Sequence, residues 1–358
     1  MPSRLPKVFV TIFRIDRNLN IMKQLLLSAV VAVAAILPAT AQDHHSDWVD
    51  DFDAAVTMAK AEGKDLLVDF TGSDWCSWCI KLHEEVFDHE AFLTSAKSQY
   101  ILVALDFPRS EEAKAKVPNP ERNRELATQY GVKGYPTILL MSAEGEVFAR
   151  TGYQAGGPEA YIKSMGEMVA AGKAAIKAAA ELTAAFQAAG DDKAAQAAVV
   201  MKAISAMGAS APDAPGMSTI IGLVRKGYEL GDGDLQVKAL TAIMSSGAGT
   251  DDDFGLAKKL DPKNENGLLD HVVVAAVSSV RSLDDVKAGL AAVEAHDAMG
   301  GFKDKDMAFT VYLNVSFWCH KHLSLPAKAK VFAQKAIDNG TDIAPRMQKT
   351  LDEILAAE

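Results

Sequence analysis

The sequence predicts an α/β domain, one mixed sheet flanked by helices, followed by an all-α domain of helical hairpins. Three observations predict it. Short apolar runs alternate with helical periodicity up to about residue 170 and finish in a hairpin. Beyond that point the chain turns Ala-rich without a strand-like run, as in "AAGKAAIKAAAELTAAFQAAG" (170–190). At 358 residues the chain also exceeds the length, roughly 250–300 residues, at which single cores stop growing. The composition, 49% hydrophobic and 23% charged, is that of a globular protein. A net charge of −10 with no basic run in the body argues against nucleic acid as a partner.

The elements follow in order. From Met22, read as the initiator in place of Met1, "MKQLLLSAVVAVAAILPATAQ" has a basic start, an apolar run and a small-residue ending, the pattern of a secretory signal. The apolar run, Leu25 to Leu37, is short of the roughly 20 residues that span a bilayer, so a membrane anchor is the disfavoured alternative. Cleavage is expected after Ala41, in Ala39-Thr40-Ala41, giving an exported chain that begins at Gln42 with no stable membrane insertion. Removing residues 1–41 takes away five basic residues and one acidic one and moves the charge from −10 to −14.

"DWVDDFDAAVTMAKAEGK" (47–64) carries Trp48, Phe52, Ala55, Val56 and Ala59 at helical spacing and stops at Gly63. "DLLVDF" (65–70) suits a buried strand, and "CIKLHEEVF" (79–87) resumes the helical period. "YILVALDF" (100–107) is a second strand. "PRSEEAKAKVPNPERN" (108–123) reads as an insertion with a solvated charged face. "ERNRELATQYGV" (121–132) is a helix closed by Gly131, and "GYPTILLMSAEGEVFART" (134–151) is two strands joined by a turn at Glu144-Gly145. A helix over Pro158–Val169 ends this part, and the domains are expected at 42–172 and 173–358.

In the second domain, breakers at "GASAPDAPG", "GDGD", "SSGAGTDDD", "DPKNENG" and "MGGFKDKD" separate helical segments. The pairs 267–280 with 283–297 and 305–322 with 325–339 are spaced like helical hairpins. "LDPKNENGLLDHVVVAA" is similar to a junction between tetratricopeptide-type repeats, although bulky residues do not recur in register.

The chemistry centres on Cys76 and Cys79 in "DWCSWC", between the first strand and the second helix. Three cysteines in an exported chain cannot all pair internally, and Cys319 lies far away. A c-type haem site would need His after the second cysteine, where Ile80 stands. A zinc site would need two more ligands, and the candidates, Cys319, His320 and His322 in "CHKH", otherwise read as the polar face of a helix. A structural disulfide closing so small a loop removes little chain entropy. The redox reading has a positive argument: a cysteine at the first turn of a helix meets unpaired N–H groups and the positive dipole end, which favour thiolate at Cys76. Cys79, one turn later, is placed to resolve a mixed disulfide.

"VDFTGSDWCSWC", with "GYPT" after an intervening strand and helix, resembles the thioredoxin superfamily, especially its exported members carrying "FTGSDWCxWC"; the resemblance covers about residues 45–170. It implies a thioredoxin-like fold and a protein disulfide oxidoreductase, with no cofactor and no metal. Cys76 would be the attacking thiol and Cys79 the resolving one, with Pro136 the cis-proline beside them. Trp75, Trp78 and Tyr135 would line the substrate side, the backbone of Tyr135 pairing with an extended substrate. Asp69 matches the family's buried proton-accepting acid, but one extra residue separates it from Cys76 and "ILVALDF" offers no lysine partner. Asp69 can equally be a strand-end aspartate, and Asp74 is a rival acid. Ser77-Trp78 between the cysteines lacks the histidine of strong oxidants, which favours a reductase or exchange direction. Partners would be protein thiols and disulfides, an electron donor, and a protein held by the helical domain. An adaptor that uses the thioredoxin-like part only as a platform is the alternative.

Overall fold

The computed structural model describes residues 47–357; the secretory pattern, its cleavage site and Gln42 lie outside them. Helix α1 (Phe52–Glu62) starts where the Asp51 carboxylate accepts the Ala54 N–H at 2.8 Å, and ends at Gly63, whose φ of 64° is left-handed. Trp48 therefore falls outside the helix expected for it. Val49 instead runs parallel to the second strand, donating to the Leu102 carbonyl at 2.8 Å and accepting from Ala104 at 2.9 Å. The free edge of that strand competes successfully with helical periodicity, because pairing there satisfies backbone groups on both segments.

The sheet holds β1 (Asp65–Thr71), β2 (Tyr100–Asp106), β3 (Thr137–Met141) and β4 (Val147–Thr151) in the order β2-β1-β3-β4. β1 is parallel to β2 and antiparallel to β3, and β3 is antiparallel to β4. The fold is thus the mixed, helix-flanked sheet that the sequence implies. Strand alternation divides β1 between two cores. Leu66, Val68 and Phe70 pack with Phe52, Ala55 and Ala59 of α1 and with Leu126 of α5 (Pro120–Gln129). Leu67 faces the other core, with Leu82 of α2 (Ser77–Leu82), Val86 and Phe87, Phe92 of α3 (Glu90–Lys97), and Tyr161 of α6 (Gly157–Ala188). Asp69 has the parity of Leu67.

After α2 the helix continues as a π turn, His83–Phe87. The charged segment 108–123 folds as α4 (Glu111–Lys114) and the start of α5, and most of its residues are exposed, as its charges suggest, while its end is tied to α1. Asn123 is buried, Asn119 donates to Asp51, and the Arg122 guanidinium holds the Asp53 carboxylate with two contacts of 3.1 Å.

Helix α6 (Gly157–Ala188) runs well past the end expected at Val169. Alanine costs nothing in a helix interior, and Gly172 does not break it because it is a point of close approach. A Cβ there would lie 1.8 Å from the Phe148 carbonyl oxygen of β4.

Further helices are α7 (Lys193–Gly208), α8 (Met217–Lys226), α9 (Gly233–Ser245), α10 (Asp251–Leu260), α11 (Leu268–Ser278), α12 (Leu283–Ala298), α13 (Lys305–Lys321), α14 (Pro326–Asn339) and α15 (Pro345–Ala356). By compactness the described residues form two units, one of residues up to 195 with 209–222, the other of 196–208 with 223–357. The expected division at 172/173 lies inside α6. Helices α11 to α15 share an apolar core around Val293, Val315, Ala333 and Leu351. Their junction is set by a buried carboxylate absent from the sequence reading. Asp270 accepts from Asn264 at 2.7 Å, binds His296 Nε2 at 2.9 Å, and accepts the N–H groups of Lys303 and Asp304. No helix among the described residues is long and apolar enough to cross a membrane.

Candidate functional site

β1 ends at Thr71, and a turn delivers Cys76 to the N-cap of α2. Its Sγ accepts the Cys79 N–H at 3.2 Å. A sulfur so placed receives a backbone donor and the positive end of the helix, which together favour its anionic form. Cys76 and Cys79 are joined in a disulfide, with Cα atoms 5.2 Å apart. Cys76 is 5% exposed and Cys79 0%. Both sulfurs are thus nearly covered in the disulfide form, Cys76 slightly less than Cys79.

The loop before Cys76 is pinned from β2 and its following segment. Ser73 donates its N–H to Asp106 at 2.9 Å, and Asp74 accepts the backbone N–H groups of Arg109 and Ser110 at 2.9 and 2.7 Å. The Ser110 and Arg109 bonds hold the Asp74 carboxyl below the usual carboxylate range. Asp74 is therefore occupied as a loop tie, which removes it as the rival acid.

Trp75 is half-buried. Its indole N–H donates to the Phe107 carbonyl at 2.8 Å, its ring meets Tyr135 edge-on at 5.7 Å, and the Arg109 guanidinium lies 3.9 Å above it. Gly72 is required beneath it, since a Cβ there would lie 2.7 Å from the indole. Trp78, by contrast, is 54% exposed; it packs at 5.1 Å on Tyr153, and Lys81 stands over both rings at 5.5 and 5.0 Å. Tyr153 in turn donates to Glu85. The Tyr135–Pro136 peptide bond is cis, immediately before β3.

Asp69 is fully buried on β1, with His83 Nε2 3.0 Å from its Oδ2. Burial pushes the Asp69 carboxyl up, and the His83 bond and charge oppose that rise. His83 itself stands in a balance: burial lowers it, while Asp69 and Asp88 outweigh burial and raise it to about 9. Its Nδ1 lies 3.4 Å from Asp88. The partner of Asp69 that β2 lacks is thus a histidine from the π turn that follows α2. Sequence reasoning missed His83 while searching the next strand for a lysine. The signal was there, since His83 follows Cys79 by four residues on one helical face.

Cys319 is buried on α13, and desolvation pushes its thiol up to about 11. Among the described residues no cluster of three or more His, Cys, Asp or Glu side chains could hold a metal ion.

Known proteins resemble the first part of the chain. The thioredoxin-like domain family matches residues 52–167. The disulfide bond reductase DsbH of Chlamydia pneumoniae is 33% identical over 116 residues, 32% of this chain and 69% of that protein. The thioredoxin-related protein DsbJ of the same organism is 26% identical over 136 residues, 37% of this chain and 38% of that one. A solved DsbH oxidoreductase shares 30% identity over 39% of this chain and 94% of its own, with a TM-score of 0.31. With its Cys76–Cys79 pair at the strand-to-helix junction, the chain belongs to the thioredoxin-like family of disulfide oxidoreductases.

Proposed function

We propose that this protein is an exported thiol–disulfide oxidoreductase working on the disulfides of exported proteins, in the reducing or exchange direction. The observation that carries the reading is Cys76 at the N-cap of α2, its sulfur accepting the N–H of its own disulfide partner. In the dithiol form, the Cys76 thiolate attacks one sulfur of a substrate disulfide and expels the other as thiolate. Cys79 then loses its proton and attacks Cys76 Sγ, releasing the second substrate thiol and closing Cys76–Cys79. Two electrons pass to the substrate, and a dithiol donor returns them. The reducing direction is supported by the absence of histidine between the cysteines and by a relative named a disulfide bond reductase. Export is supported by the pattern from Met22 to Ala41. Tyr135 and Pro136 would receive an extended substrate segment and Trp78 would give it an apolar rest, while the helical part would hold a protein partner.

The test is trapping in the exported compartment. Cys79→Ser should accumulate thiol-labile adducts on non-reducing gels, and Cys76→Ser should accumulate none. Equal adducts from both variants, or adducts through Cys319, would overturn the assignment. Failure of the wild-type chain to turn over a disulfide with a dithiol donor would favour an adaptor.

A further inference from the structure

Resolution of the mixed disulfide needs a proton acceptor near Cys79, and the interior holds few groups able to serve. Asp69 lies on the β1 face turned toward α2, fully buried. Its Oδ2 is held by His83, and its Oδ1 has no hydrogen-bond partner among the described residues. A carboxylate with one oxygen anchored and the other unclaimed has an open position for a proton.

His83 is positioned from the cysteine side. Its backbone N–H bonds to the Cys79 carbonyl, so the two side chains lie one turn apart on the same helical face, roughly 5–6 Å between Cβ atoms. The imidazole is clamped between Asp69 at 3.0 Å and Asp88 at 3.4 Å, with Phe87 edge-on at 5.2 Å and Trp48 at 5.6 Å. Two carboxylates on one buried ring favour imidazolium. The other titratable groups whose charge reaches Asp69 are Asp106 at the end of β2 and Tyr161 on α6, and neither supplies a cation.

We propose that His83 is the positioning residue of the resolving step: as a cation it keeps buried Asp69 ionised, so that Asp69 can take the Cys79 proton. This rests on the oxidoreductase reading above. In the step, the Cys79 S–H bond breaks and its proton passes to Asp69. The Cys79 electron pair forms the S–S bond to Cys76, and the substrate sulfur leaves with the electrons of the mixed disulfide and takes a proton from water. The sign follows from charge. With the cation removed, burial and the Asp106 charge are no longer opposed by a positive charge, so Asp69 stays protonated to higher pH, and the step shifts to higher pH with it.

The experiment uses the full chain, reduced, and a chromogenic aromatic disulfide, dithiobis-nitrobenzoate, that releases one coloured thiol when Cys76 attacks and a second when Cys79 resolves. For His83→Gln, which keeps a hydrogen bond to Asp69 without the charge, the first release should be unchanged. The second should slow by about tenfold or more at neutral pH, with its pH midpoint moved upward. His83→Lys should restore both, and His83→Gln should add nothing to Asp69→Asn. Absence of the first release in the wild type would sink the oxidoreductase reading. Two unaltered phases in folded His83→Gln, equal slowing of both, or failure of His83→Lys to rescue would sink the role of His83.

Discussion

Trp78 keeps 54% of its surface in solvent while its neighbour Trp75 is locked by Phe107, Tyr135 and Arg109, so the two tryptophans of "DWCSWC" do different work. Trp78→Ala should raise KM for a folded protein substrate by about fivefold or more, the scale of an interface hot spot, and leave the rate with a small aromatic disulfide unchanged. Steady-state kinetics with both substrates check this. At His83, pH dependence can be worked out. Its ordinary value is 6.5 and its folded value about 9, so its contribution is fully present below 6.5 and is lost as pH rises through about 9. Asp69, also raised, adds loss in the same direction. Chemical denaturation should therefore show wild type more stable than His83→Gln by on the order of 2–3 kcal/mol near neutrality, with the gap closing above about pH 9. A gap that widens with pH would contradict the ion pair.

Among the elements, α6 depends on one missing methyl group. A Cβ at Gly172 would collide with the Phe148 carbonyl, whereas Gly166, six residues earlier in the same helix, has open space around it. Gly172→Ala should destabilise the α/β part by about 1–3 kcal/mol as α6 is forced off β4. Gly166→Ala should leave stability unchanged or raise it by up to about 1 kcal/mol through helix propensity. Thermal unfolding of the two variants separates close packing from propensity by opposite signs. Most element boundaries were legible, because their signals are local. Gly63 and Gly131 close their helices, Glu144-Gly145 turns the hairpin, and "DPKNENG" separates α10 from α11. The length of α6 was not legible, since nothing within "AAGKAA" says whether a glycine breaks a helix or admits a neighbouring strand.

For the whole molecule, the two compact units have separate cores, which makes separate stability testable. Asp270→Ala strips the partner from buried His296 and from two backbone N–H groups, and should cost the helical unit about 3–5 kcal/mol. Coloured-thiol release from Cys76 should survive at temperatures where that unit has melted. Circular dichroism beside the release assay checks this, and simultaneous loss of both would show one cooperative body. Residues 261–358, which carry the core shared by α11 to α15, should likewise unfold cooperatively and be strongly helical when expressed alone. The sequence by itself determined the α/β-then-α division, the strand-to-helix junction that carries Cys76 and Cys79, and the Tyr135-Pro136 step before β3. Those features are written in periodicity and in residues a few positions apart. Only the tertiary structure decided that Trp48 and Val49 leave the first helix for the edge of β2, that Asp74 is consumed by the backbone of Arg109 and Ser110, and that Asp69 meets His83. Each of these is a competition between groups far apart in sequence, settled by burial and distance in space.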